Sequence, residues 1–321
     1  MRTTIVGEGG QRPAVGSRGA NIGRGPAGAN IGVIVMPDPV LVGMDGSAAS
    51  LRAVRWAAQA AASRQLPLRI VTAFVWPIQL YSVISGGQLP ELTVLRDDAR
   101  ERLIEQADAV RAEFPDVSVT EDFVEEEPAK ALVEGSGAAA LTVVGQRGRG
   151  ALAGMLLGSV SDQVATYATG SVVIVPDEPA VDGPVVVGTD GSAVSQAAVE
   201  FAFDEASRRR TELVAVRAWL APGLDGPNRV PMFLDFDEMA GQERRLLAES
   251  LAEWQPKHPD VPVRSALGYG SPASQLLEQA EGAALLVVGS RGRGGFARML
   301  LGSTSRSLLS RVSCPIAVVR P

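Results

Sequence analysis

Two short stretches of this chain hold residue types at spacings suited to gripping an anion, and the chain repeats both. Gly145-Gln146-Arg147-Gly148 is followed after nine residues by Gly158-Ser159-Val160-Ser161, and Gly289-Ser290-Arg291-Gly292 is followed after nine by Gly302-Ser303-Thr304-Ser305. Glycine tolerates positive φ and lets a ligand approach the backbone closely. A Gly-Ser pair opening a helix presents unpaired amides, a hydroxyl and the positive end of the helix dipole. Such an arrangement cradles an anion, and phosphate fits it best. Arg147 and Arg291 lie inside the cradles, where a guanidinium neutralises phosphate charge; Arg149 and Arg293 either assist or are solvated. A long βα loop punctuated by glycine has a similar composition. Packing alone, however, does not require the same glycines, arginines and serines at one spacing in both copies.

The second stretch is Asp45-Gly46-Ser47, after an apolar run ending in Gly43, repeated as Asp190-Gly191-Ser192 after a run ending in Gly188. A carboxylate at a strand end accepts hydrogen bonds from a base or a ribose, and that is the reading favoured for Asp45 and Asp190. For Ser47 and Ser192 a helix N-cap and a ligand contact are equally good readings.

Other chemistries fit poorly. The only lysines are Lys130 and Lys257, neither in the Gly-Lys-Ser/Thr setting of a Walker loop. Gly148 to Ala153 and Gly292 to Ala297 match G-x-G-x-x-A. They follow the fourth strand of each copy, without an acid-ended strand about 20 residues on, so a hydride-transfer site is disfavoured. One cysteine, Cys314, and one histidine, His258, cannot supply a zinc cluster or a Cys/His nucleophile pair. Water activation near a γ-phosphate needs an orienting or basic group. Gln146 is the only candidate, in one copy, so a slow ATPase is the most that catalysis amounts to. The net charge of -6 gives nucleic acid no global attraction. No run reaches the roughly 18 to 20 apolar residues of a membrane span, and residues 1–35 lack a signal-peptide core, which makes the cytoplasm the expected location. Cys314 is expected buried and inert, His258 exposed, Trp56 and Trp219 packed, and Glu125-Glu126-Glu127 and Arg208-Arg209-Arg210 solvated element ends.

The elements that position these residues also come twice. Val40 to Ser47 returns as Val185 to Ser192, and Leu141 to Ser161 returns as Leu285 to Ser305, identical at 15 of 21 positions. At 321 residues, two domains of ordinary size are expected, here 38–177 and 183–321, with a Pro- and acid-rich seam between them and a disordered, Gly-rich leader over 1–37. Short β-branched runs alternate with amphipathic stretches, the pattern of βαβ units and a parallel sheet. Strands are expected near 39–43, 68–74, 117–124, 140–144 and 172–175, and again near 184–188, 212–218, 261–267, 284–288 and 315–319. Helices are expected near 48–64, 91–113, 128–138 and 159–169. The fold class is α/β: two tandem flavodoxin-like (Rossmann-like) doubly wound domains, each with a five-stranded parallel sheet.

With the Asp-Gly-Ser turn after each first strand and the G-x-x-G, nine residues, G-[ST] pattern in both copies, residues 37–321 resemble the universal stress proteins in their tandem, ATP-binding form. The resemblance implies one adenine-nucleotide site per domain. Asp45 and Asp190 face the adenosine, and the backbone at Ala73 and Ala218 meets adenine. Gly145, Gly148, Gly289 and Gly292 shape the loop over ribose and phosphate. Ser159, Val160 and Ser161, with Ser303, Thr304 and Ser305, hold phosphate oxygens. Mg²⁺ accompanies the triphosphate, although no carboxylate cage is apparent for it. The resemblance further implies a role in stress response through regulatory protein partners, edge-to-edge pairing of the last strand of each domain, and a homodimer of tandem chains. Neither a nucleic-acid nor a membrane partner is expected. A tandem scaffold with degenerate pockets is the remaining alternative, against which the intact motifs count.

Overall fold

The structure is a computed structural model and describes residues 38–76, 90–148, 156–178, 182–220, 235–292 and 300–321, with 90–92 as backbone only. The glycine-rich leader, Arg149, Arg293 and part of the seam lie outside the described residues.

In the first half the elements run β1 (Val40–Gly43), α1 (Ala48–Arg64), β2 (Leu68–Ala73), α2 (Pro90–Glu113), β3 (Val119–Val124), α3 (Pro128–Gly135), β4 (Leu141–Gly145), α4 (Ser159–Tyr167) and β5 (Val172–Val175). The second half repeats them as β6 (Val185–Gly188), α5 (Ala193–Arg209), β7 (Leu213–Trp219), α6 (Phe236–Ala252), β8 (Val263–Tyr269), α7 (Pro272–Gln279), β9 (Leu285–Gly289), α8 (Ser303–Leu309) and β10 (Ile316–Val319).

Each half is a parallel, doubly wound sheet ordered 3-2-1-4-5, so chain order reverses between β1 and β4, and again between β6 and β9. That order is the Rossmann one; the flavodoxin order would be 2-1-3-4-5. The halves join through β5 and β10, which pair antiparallel with Ile316 opposite Ile174 and Val318 opposite Val172. The two sheets are therefore one sheet of ten strands, β3-β2-β1-β4-β5-β10-β9-β6-β7-β8.

Strand alternation divides the core into two layers. Val40, Val42, Val173 and Val175 pack under α1 and α2, in a layer that continues through Val185, Phe203 and Leu247. Leu41, Val172 and Ile174 face the opposite way, toward Leu132 of α3, Val164 of α4, Leu276 of α7 and Leu308 of α8. Both layers cross the β5/β10 seam, which accounts for the fully buried, continuously apolar runs there.

Two strands start later than their apolar runs. The amide of Val117 bonds the Phe114 carbonyl at 3.0 Å and that of Val261 bonds the His258 carbonyl at 3.1 Å, so these valines close turns before the ladder begins. Both are buried, which is why they read as strand.

Two expectations for surface residues need correction, at Arg209 and at His258. Arg208 and Arg209 bond the buried Glu205 at 3.4 and 3.3 Å, and Arg209 lies over the Trp56 ring at 5.5 Å. Arg209 thereby covers the junction between α1 and α5, whereas Arg208 and Arg210 are exposed at the end of α5, as expected. Glu125 and Glu127 are exposed between β3 and α3, as expected, with Glu125 accepting the Trp76 indole N–H at 3.0 Å and Glu126 pairing with Lys130 at 2.8 Å. His258 is not exposed: it stacks on Phe203 with centroids 5.5 Å apart. Cys314 is buried, and burial pushes its thiol up to about 12, leaving almost no reactive thiolate near neutral pH.

Candidate functional site

The carboxyl ends of strands flanking an order reversal leave a crevice in an open α/β sheet. Here that crevice exists twice. A cavity of about 270 Å³ opens between the ends of β1, β2 and β4 and the start of α4, and one of about 440 Å³ occupies the same place in the second half. The first is lined by Gly43, Asp45, Ala73, Gly145, Arg147, Gly148, Gly158, Ser159, Val160 and Ser161. Their counterparts Gly188, Asp190, Ala218, Gly289, Arg291, Gly292, Gly302, Ser303, Thr304 and Ser305 line the second. The structure thus brings these positions together in each half, although about 100 residues separate Asp45 from Gly145, while Ser47, Ser192 and Gln146 are absent from the linings and Arg149 and Arg293 lie outside the described residues.

The aspartates sit in matching turns. Asp45 Oδ1 accepts the Ser47 amide at 2.9 Å, and Asp190 Oδ1 accepts that of Ser192 at 2.9 Å. The glycine between them has φ of 77° at Gly46 and 78° at Gly191, where a side chain is strained. The other carboxylate oxygen lies against the backbone that follows β4 or β9: a Cβ placed on Gly148 would be 2.5 Å from Asp45 Oδ2, and one on Gly292 would be 2.5 Å from Asp190 Oδ2. Glycine at these two positions is what lets the carboxylate and the loop share one corner of the cavity.

The serines divide their roles. Ser47 Oγ accepts the Ser50 amide at 3.1 Å and Ser192 Oγ accepts the Ser195 amide at 3.2 Å, so both are N-caps, of α1 and α5. The tie between cap and ligand contact is resolved for the cap. Ser161 Oγ donates to the Gly145 carbonyl at 2.6 Å, and Ser305 Oγ to that of Gly289 at 2.7 Å. These hydroxyls tie the start of each helix to the end of the strand, so their protons are already spent. Contact from these two positions to a phosphate oxygen would come through the amide.

The cradle itself is backbone. Gly158 and Gly302 cap α4 and α8 without a side-chain bond. Their own amides close the nine-residue loops onto the Gln146 carbonyl at 2.9 Å and the Ser290 carbonyl at 2.8 Å. A helix start of this kind leaves its first-turn N–H groups, at 159–161 and 303–305, without partners inside the helix.

Two side chains depart from expectation. Arg147 lines the cavity but is ion-paired with Asp177, just past β5, rather than free in the cradle. The Gln146 side chain points away and donates to the Leu309 carbonyl at 3.3 Å across the seam between halves. In this orientation it does not line the cavity. Among the described residues no group of three or more His, Cys, Asp or Glu side chains could hold a metal ion, and no helix is long and apolar enough to cross a membrane.

Sequence reasoning missed the apolar walls: Val71, Leu132 and Val144 in one cavity, Val216, Leu276 and Val288 in the other. Their only signal was position, since each strand valine precedes a strand-end site residue. Leu132 and Leu276 come from the helix after the third strand of each half, each with proline at its start. Such walls take a flat apolar group while the polar rim fixes its orientation.

A model of the universal stress protein family matches residues 36–176 and again 183–320. A universal stress protein from Mycolicibacterium smegmatis is 40% identical over 295 residues, covering 88% of this chain and 97% of its own length. One from Mycobacterium tuberculosis is 38% identical over 301 residues, covering 88% and 94%. A solved universal stress protein from Archaeoglobus fulgidus shares the fold with a TM-score of 0.63 at 20% identity, over 89% of this chain and 97% of that one. Matched twice by the family model and along nearly its whole described length by these relatives, the chain belongs to the universal stress protein family, as a tandem of two such domains.

Proposed function

We propose that each domain binds an adenine nucleotide, foremost ATP, and that the chain acts in the cytoplasm as a nucleotide-dependent regulator in stress response. One observation carries the binding: in both halves the Asp-Gly-Ser turn and the Gly-Ser helix start, far apart in sequence, converge on one cavity with an apolar wall. Asp45 and Asp190 serve the ribose side, Ala73 and Ala218 the base, and the amides following Gly158 and Gly302 the phosphates. Phosphate is favoured over a carboxylate because several parallel amides and an arginine offer more charge-assisted donors than a carboxylate can fill. Mg²⁺ would ride on the triphosphate oxygens and water, screening their charge, since the cavity lining offers it a single aspartate.

Regulation rests on the family membership. Self-association of tandem chains belongs to the same reading and must use another surface, because the β5 and β10 edges are consumed within the chain.

Equilibrium dialysis of the purified chain against millimolar ATP tests the binding. Up to two nucleotides per chain are expected; no adenine nucleotide bound at that concentration would reject the proposal. Light scattering after size exclusion reads the assembly, with twice the chain mass expected.

A further inference from the structure

The two cavities share their backbone but not their charge. In the first, Asp177 is held by two guanidinium groups: Arg147 on one oxygen and Arg52 Nη2, from α1, on the other at 3.2 Å. A carboxylate between two guanidinium groups occupies them much as a phosphoryl group would. The triplet leaves one net positive charge beside this cavity.

The second half lacks the arrangement. At the repeat's shift of 144, Asp177 corresponds to Pro321 and Pro176 to Arg320. At the shift of 145 that relates α1 to α5, Arg52 corresponds to Ala197. Arg291 lines its cavity, and among the described residues it makes no ion pair of the kind that holds Arg147. Arg320 adds a second cation nearby, donating to the Gly170 carbonyl at 3.2 Å. Burial is the main cause lowering the pKa of Arg320, and repulsion from Arg291 adds to it.

We infer that Asp177 is an internal competitor for the nucleotide phosphate at the first cavity, so that the second cavity is the tighter site and the more responsive to phosphate number. This rests on the nucleotide reading above and deepens it. To engage Arg147, a phosphate must displace Asp177, which Arg52 continues to hold. At Arg291 no acidic side chain among the described residues has to be displaced. Arg147 and Asp177 are 43% and 30% exposed, so water screens their pairing and the competition is reversible.

The test is isothermal titration of the full chain with AMP, ADP and ATP, for the unaltered protein and for Asp177→Asn. Two classes of site are expected with ATP, separated by about three- to tenfold, the range of a lost charge-assisted contact. The gap should shrink from ATP to AMP. Asp177→Asn should tighten the weaker class by about the same factor and leave the tighter class unmoved, while Asp177→Glu should restore the gap. A salt series on the unaltered chain needs no variant: the weaker class should lose less affinity with salt, since binding there exchanges one ion pair for another. Equal sites unmoved by Asp177→Asn would overturn the inference and leave the nucleotide reading intact. Weakened binding in Asp177→Asn would also overturn it, making Asp177 a positioning residue for Arg147. Absence of binding in every case would overturn both.

Discussion

At the scale of single residues, the site depends on what is missing at Gly148 and Gly292. A side chain there would collide with a carboxylate oxygen at the end of a short, movable side chain rather than with backbone. The collision is relieved by swinging the aspartate aside, at little cost to the fold. Gly148→Val should therefore destabilise the protein by less than about 1.5 kcal/mol in urea unfolding. It should weaken nucleotide binding in the first domain by tenfold or more, since loop and carboxylate can no longer share their corner. Comparable losses of stability and affinity would mean that the glycine is needed for packing alone. The glycines, aspartates and helix-opening serines were legible in the sequence because chemistry at a strand end demands particular residue types at particular spacings. The pairing of Arg147 with Asp177 was not, because an ion pair across a strand and a loop leaves no periodic trace. Gln146 misled for the same reason: nothing local says that its amide would reach a carbonyl of the other half.

At the scale of elements, the same Gly-Ser or Asp-Gly-Ser signature builds two different helix starts. The starts of α1 and α5 are sealed by Ser47 and Ser192, whereas those of α4 and α8 are left open by glycine caps and face the cavities. Only the open ones can receive an anion. Ser47→Ala should cost about 1 kcal/mol of stability, and Ser47→Gly only a few tenths, measured by urea unfolding. Neither should alter the affinity for nucleotide by more than about twofold; a large effect on binding would reinstate the serine as a ligand contact. Element order and type were readable because parallel strands buried on both faces are continuous apolar runs and their helices are amphipathic. The strand starts at Val119 and Val263 were less so, because Val117 and Val261 are just as apolar and just as buried while closing turns.

At the scale of the whole molecule, the halves are clasped on one face by Glu205, which is 2% exposed and takes Arg64 of α1 together with Arg208 and Arg209 of its own helix. Burial lowers the pKa of Arg64, and the Glu205 carboxylate opposes that shift. Glu205→Ala would leave Arg64 charged and sequestered, and a loss of about 3 to 5 kcal/mol is expected in chemical denaturation. Arg64→Met combined with Glu205→Met should recover most of it, because two apolar side chains fill the space without stranding a charge. No loss in the single variant would show that the clasp is solvated in practice. The antiparallel junction of β5 with β10 has an effect beyond stability. Because the halves run in opposite senses, the two cavity mouths open toward opposite rims of the sheet. One flat surface cannot cover both at once, so under the proposed function each rim would report its own occupancy, and a partner reading one would leave the other open.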